Sequence, residues 1–151
     1  MKDLMTHELV IGNVTDSIAN IAKLMKDFNI GFVPIAKDKQ IVGVITDRDL
    51  VINALSNKVK SDDNIEEYMS VNLITINVNS SIKEALDLIG YKKVKRLIVE
   101  DDKKVVGIIS ISDLIKAADI DKECLITNLR KLLEIYRSND YKQADIDEFY
   151  L

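Results

Sequence analysis

The stretch Gly43-Val44-Ile45-Thr46-Asp47-Arg48-Asp49 returns 64 positions later as Gly107-Ile108-Ile109-Ser110-Ile111-Ser112-Asp113. Both copies are a glycine, two β-branched residues, a hydroxyl residue, two spacers and an aspartate. The runs from Ile41 to Ile45 and from Val105 to Ile109 are short, apolar and rich in Val and Ile, and each follows a charged turn, the pattern of a buried strand. Behind them Leu50, Val51, Ala54 and Leu55, and in the second copy Leu114, Ile115 and Ala118, recur at helical spacing. Thr46 and Ser110 therefore stand where a strand gives way to a helix. A hydroxyl there with a carboxylate three residues on matches a capping box, in which the two side chains satisfy orphan N–H groups. The same corner also suits a nucleotide. A helix N-terminus presents free N–H donors and a positive dipole end to an anion, the hydroxyl can touch phosphate, and a carboxylate one turn on can accept ribose hydroxyls.

The register holds through turns as well as apolar positions. Met5 recurs as Met69, Asn13-Val14 as Asn77-Val78, Ser17-Ile18 as Ser81-Ile82, Leu24 as Leu88, and Asp38-Lys39 as Asp102-Lys103. Two copies of one unit account for this. The unit reads strand, helix, strand, strand, helix. Its first strand is expected over Leu9-Val10-Ile11 and over Leu73 to Ile76. The first helix carries an apolar face of Ile18, Ile21, Ala22, Leu24, Met25 and Phe28, matched by Ile82, Ala85, Leu86, Leu88 and Ile89. Asp16 or Ser17, and Ser80 or Ser81, are the expected caps. Gly31 to Ile35 and Arg96 to Val99 give the next strand, joined by a short turn to the glycine-bearing one. Pro34, the only proline, implies a free or interrupted edge on its strand.

Composition bounds the function. The chain has 151 residues, 47% of them hydrophobic, enough to bury a true core. With 21 basic and 25 acidic residues its formal charge is −4, so no global positive field recruits nucleic acid or an anionic membrane. The N-terminus lacks the apolar core of a signal peptide, and no apolar run approaches a membrane span, which points to the cytoplasm. Cys124 is a single cysteine and His7 a single histidine, so neither a disulfide nor a Cys/His metal cluster is expected. Lys92, Lys93, Lys95 and Arg96 form a cationic cluster whose ordinary reading is a solvated face. There is no nucleophile paired with a base, no P-loop and no Rossmann glycine fingerprint, so no catalytic residue is assigned.

The duplicated unit, the Val33-Pro34-Ile35 strand and the two glycine-to-aspartate motifs resemble a tandem pair of cystathionine-β-synthase (CBS) domains, a Bateman module, over about residues 1–120. The resemblance implies an α/β (α+β) fold of two β-α-β-β-α units packed with pseudo-twofold symmetry, the first at 1–57 and the second at 58–120. It implies a regulatory module that binds an adenosine-containing nucleotide (AMP, ADP, ATP or S-adenosylmethionine) in a cleft between the repeats, with no cofactor required. Thr46 and Asp49, and Ser110 and Asp113, match the family's phosphate-side hydroxyl and ribose-binding carboxylate. Arg48 and Arg96 are placed to reach phosphate, Thr75 to reach the nucleoside, and Val33 with Pro34 to form the apolar wall beside adenine. Their counterparts Ser112, Phe32 and Ile11 differ in chemistry, so unequal sites are expected. A homodimer and an unidentified client protein are the implied partners.

Residues 121–151 belong to neither repeat. Leu125, Leu129, Leu132, Leu133 and Tyr136 make the apolar stripe of an amphipathic helix, followed by a tail that mixes acidic residues with aromatics. The alternative to a ligand sensor is a structural or oligomerisation adaptor that acts through its helical faces and this C-terminal helix.

Overall fold

The computed structural model describes residues 1–117, together with Ile126, Thr127, Arg130 and Leu133, which are helical. The remainder of the expected C-terminal helix and tail lies outside the described residues.

In the first repeat β1 (Gly12–Asn13) leads through α1 (Ile18–Asp27) to β2 (Phe32–Lys37) and β3 (Gln40–Thr46). β3 passes directly into α2 (Asp47–Asp49), which continues as a π-helical stretch over Leu50–Leu55. The second repeat has β4 (Thr75–Asn77), α3 (Ile82–Lys92), β5 (Arg96–Asp101), β6 (Lys104–Ser110) and α4 (Ile111–Lys116). Each repeat forms a three-stranded sheet in which the first strand is parallel, and the third antiparallel, to the middle one. The middle strands carry a bulge at the same place, between Ile35 and Ala36 and between Val99 and Glu100. Asp38-Lys39 and Asp102-Lys103 close the hairpins with positive φ at all four residues, the primed-turn geometry that follows the right-handed twist of the strands.

Strand alternation sends one side chain in two to a core. Val33, Ile35 and Ile45 pack with Ile21 and Met25 in the first repeat. Leu97, Val99 and Ile109 pack with Ala85, Leu86, Ile89 and Leu114 in the second. Ser17 and Ser81 cap α1 and α3 as expected. The chain between the repeats finishes the first of these caps: Ile18 and Ala19 donate their N–H groups to the carbonyls of Asp63 and Ser61. Phe28, expected on the apolar face of α1, is exposed, because it falls one residue past the helix and caps it.

The packing crosses the boundary between 1–57 and 58–120. Met5, with Met1 and Leu4 beside it, lies in the core of the second repeat. Their counterparts Ile65, Tyr68 and Met69 lie in the core of the first. Each leading segment is pinned by a reciprocal pair of backbone hydrogen bonds to the other repeat's third strand. Thr6 N–H to Ile108 O and its return are 2.8 and 3.1 Å; Ser70 N–H to Val44 O and its return are 2.8 and 2.9 Å. The motif glycines make room for this contact. A Cβ on Gly43 would stand 3.1 Å from Ser70 O and 2.5 Å from the Met69 sulfur; one on Gly107 would stand 2.9 Å from Thr6 O and 2.7 Å from the Met5 sulfur.

Gly107→Ala is therefore expected to lose about 1–3 kcal/mol by overpacking, since a backbone carbonyl cannot swing aside as a methionine can. Urea unfolding checks this; an unchanged midpoint would mean that the leading segment does not need the glycine.

Candidate functional site

Both motifs form complete capping boxes. The Thr46 hydroxyl accepts the Asp49 N–H at 3.2 Å, while Asp49 Oδ2 accepts the Thr46 N–H at 2.9 Å and its hydroxyl at 2.7 Å. Ser110 and Asp113 repeat this at 3.3, 2.9 and 2.6 Å. One carboxylate oxygen of each aspartate does all the accepting; among the described residues nothing is bonded to Oδ1 of Asp49 or Asp113. Each half-buried box therefore keeps an acceptor in reserve. Ser81 and Glu84 form the same box at α3 on an exposed surface, and there the Ser81 N–H and then its hydroxyl hold the Glu84 carboxyl below its ordinary range. The box alone is thus a helix start, and a site requires a cavity beside it.

Pro34 provides the cavity's opening. In the second repeat the equivalent residue, Ile98, donates its N–H to Ile74 O at 3.0 Å, and β4 starts with Thr75 paired to Ile98. Proline has no N–H to give Val10, so β1 starts one residue later, with Gly12 paired to Ile35. The first strands expected over Leu9 to Ile11 and over Leu73 to Ile76 are both displaced, to Gly12–Asn13 and Thr75–Asn77, and the missing donor accounts for the further residue by which β1 starts late. Leu9 and Val10, which precede β1, line a cleft of about 210 Å³ with Glu8, Pro34 and the Asn29–Phe32 corner. Arg96 and Ile108 of the second repeat close its far side, so the cleft lies between the repeats.

Arg96 does not point freely into this space. Its guanidinium sits over the Phe32 ring, 5.6 Å from the centroid, in a cation–π contact. Phe32 and Arg96 occupy the same place in the two repeats, and equivalent residues can touch only near the pseudo-twofold axis. The stack therefore marks that axis. On the next strands Phe32 pairs with Thr46, and Arg96 with Ser110, which brings both motif hydroxyls toward the centre of the module.

Of the candidate residues, Pro34 and Arg96 line the cleft, while Thr46, Asp49, Ser110 and Asp113 stand at the helix starts and are not among its lining residues. Val33 is fully buried in the first core, so strand alternation leaves Pro34 alone of that pair on the cleft side. Arg48 is exposed in the first turn of α2, and Thr75 is half-buried in β4; neither lines this cleft. Glu8 and the ring of Phe32 were not candidates from sequence. The register already placed residue 32 opposite residue 96, but contact across an axis needs the axis to be located. Among the described residues no group of three or more His, Cys, Asp or Glu side chains is placed to hold a metal ion.

Two units that exchange their leading segments, each ending a hairpin in a hydroxyl-to-aspartate box, define a paired, duplicated module. The CBS domain model matches residues 1–55 and again 65–119, and the chain belongs to the CBS-domain family as a tandem pair. The uncharacterized protein YlbB of Bacillus subtilis is 33% identical over 116 residues, spanning 76% of this chain and 78% of that protein. An uncharacterized conserved protein from Pyrococcus horikoshii superposes with a TM-score of 0.72 at 30% identity, over 80% of this chain and 92% of its own. The CBS domain pair of protein MJ0100, solved in complex with 5′-methylthioadenosine and S-adenosyl-L-methionine, has a TM-score of 0.68 at 28% identity, covering 76% and 95% of the two chains.

Pro34→Ile is expected to give residue 34 an N–H that bonds Val10 O, lengthening β1 by one pair to match β4 and narrowing the cleft. Amide exchange at residue 34 as slow as at Ile98 would bear this out; rapid exchange would show that something other than the proline holds Val10 away.

Proposed function

We propose that this CBS pair senses an adenosine-containing ligand, AMP, ADP, ATP or S-adenosylmethionine, in the cleft between its repeats and passes the signal to a client protein by conformational change. The observation that carries the reading is the wall of that cleft: apolar residues of one repeat face Arg96 of the other. A bound molecule thus contacts both repeats and changes their relative energy. The reserved oxygens of Asp49 and Asp113 suit ribose hydroxyls, and Thr46, Ser110, Arg48 and Arg96 suit phosphate, with Thr75 toward the nucleoside and Pro34 beside the base, in a ligand that reaches past the cleft's own lining, to which Pro34 and Arg96 alone of these residues belong. Likeness to a CBS pair solved with two adenosyl compounds supports the ligand class. Because the face of Phe32 toward Arg96 is taken, a base or phosphate that draws the guanidinium away breaks the contact on the axis. The resulting shift is limited to the ligand's difference in affinity for the two arrangements. The chain on this reading is not an enzyme, needs no cofactor and works in the cytoplasm without nucleic acid or membrane. No helix among the described residues is long and apolar enough to cross a membrane.

Thermal unfolding against AMP, ADP, ATP, S-adenosylmethionine and NAD tests the reading. Ligand at a hundred times its Kd adds about 2.7 kcal/mol. The expected result is stabilisation by at least one adenosyl compound, lost in Asp49→Ala or in Asp113→Ala, with each variant judged against its own unligated midpoint. No shift with any of them would leave the aspartates as helix starts only.

A second reading has its own observation. Val51, Ile52 and Leu55 are exposed on the π-helical stretch, and Ile115, the counterpart of Val51, is exposed on α4. A homodimer joined through this apolar face suits either a sensor or an adaptor without ligand. Sedimentation velocity is expected to give a dimer that Leu55→Glu converts to monomer, whereas a monomeric wild type would remove the face from consideration.

A further inference from the structure

The cleft's charges narrow its ligand. Glu8 and Arg96 are the charged residues that line it; the other side chains there are neutral, and Leu9, Val10, Ile30 and Ile108 are apolar. Among the described residues Glu8 is in no ion pair, and the contact of Arg96 is with the Phe32 ring. A second carboxylate stands close by. Asp47 Oδ2 lies over Gly31, where it would meet an added Cβ at 2.6 Å, and Gly31 is part of the cleft wall. Both anions are private to this side of the module, because the register puts Asn72 and Ile111 at the equivalent places.

We propose that this cleft selects an adenosyl compound whose 5′ substituent carries an amino-acid group rather than a phosphate chain, and that Glu8 makes the selection. The proposal rests on the adenosine-sensing reading above and deepens it. A zwitterionic substituent offers a carboxylate to Arg96 and a cation to Glu8, so both rim charges gain a partner. A triphosphate satisfies the guanidinium but is repelled by Glu8 and Asp47, and attraction and repulsion largely cancel. At about 210 Å³ the cleft is also below the roughly 300–1,000 Å³ usual for small-molecule sites, so a nucleoside leaves its 5′ substituent little room away from the lining charges Glu8 and Arg96.

Isothermal titration of the full chain at low salt with S-adenosyl-L-methionine, 5′-methylthioadenosine and ATP decides the matter, using wild type, Glu8→Gln and Arg96→Gln. In the wild type S-adenosyl-L-methionine is expected to bind more tightly than ATP by about tenfold, or about 1.4 kcal/mol. Glu8→Gln should weaken the first and strengthen the second, and added salt should narrow the gap because the rim charges are exposed to screening. Methylthioadenosine, which lacks the amino-acid group, should bind Glu8→Gln and wild type alike, showing that the fold is intact. Arg96→Gln should weaken both charged ligands. ATP binding as tightly as S-adenosyl-L-methionine, or a Glu8→Gln variant that moves both in the same direction or neither, overturns the proposal while leaving adenosine sensing in place. Absence of binding by all three overturns both.

Discussion

The structure depends on the exchange of leading segments between the two repeats. Neither sheet fills its own core: Met5 completes the second repeat and Met69 the first, each held by a reciprocal backbone pair against a strand whose glycine leaves no side chain in the way. A fully buried branched aliphatic side chain is worth about 1.5–3 kcal/mol, so Ile65, buried in the first core from the start of the second repeat, binds the repeats together energetically. The two units consequently share one folding transition, and a shift of one sheet against the other is felt in both cores. A sensor that works by relative movement of its halves needs this coupling, since two independent domains on a linker would bind without transmitting.

On that shared frame a few substitutions make the halves chemically different. Proline for isoleucine removes one N–H and with it one rung of the ladder, beside the cleft that Leu9 and Val10 line. Glycine for lysine at residue 31 admits the Asp47 carboxylate at the place where the second repeat has Ile111. The backbone is indifferent to this second exchange: Asp47 N–H to Gly31 O and Ile111 N–H to Lys95 O are 3.2 and 3.1 Å. Most of the hydrogen-bonded skeleton is common to the two repeats, while side chains differ in the cores as well as on the surface, Val33 against Leu97 and Met25 against Ile89.

That division also explains what could be read from the chain alone. Strand and helix order, the Ser17 and Ser81 caps, the hairpin turns and both capping boxes follow from local pattern, and local pattern was sufficient for them. Pro34 announced an interrupted edge, and the structure shows which rung is missing. The displaced first strands could not be foreseen from composition: Leu73 and Ile74 stay outside β4 although Ile98 has its donor, and only the exclusion of Ile11 from β1 traces to Pro34. The burial of Val33 follows from period-two alternation, which a motif comparison does not consult. The role of Glu8 was hidden for a different reason: it lies in a segment whose neighbours are set by the exchange, a long-range feature with no local signature.

The axis is where these threads meet. A contact between equivalent residues of two repeats is normally constrained to be like with like, and a duplicated phenylalanine or a duplicated arginine would face itself there. Having one of each converts the axis into an attractive pair, with the guanidinium held on the ring. Such a half-buried cation–π contact is worth about 0.5–1 kcal/mol, small enough for an anion to displace and large enough to bias an equilibrium severalfold. Asymmetry at a single pair of equivalent positions is therefore enough to give a symmetric scaffold an attractive contact on its own axis.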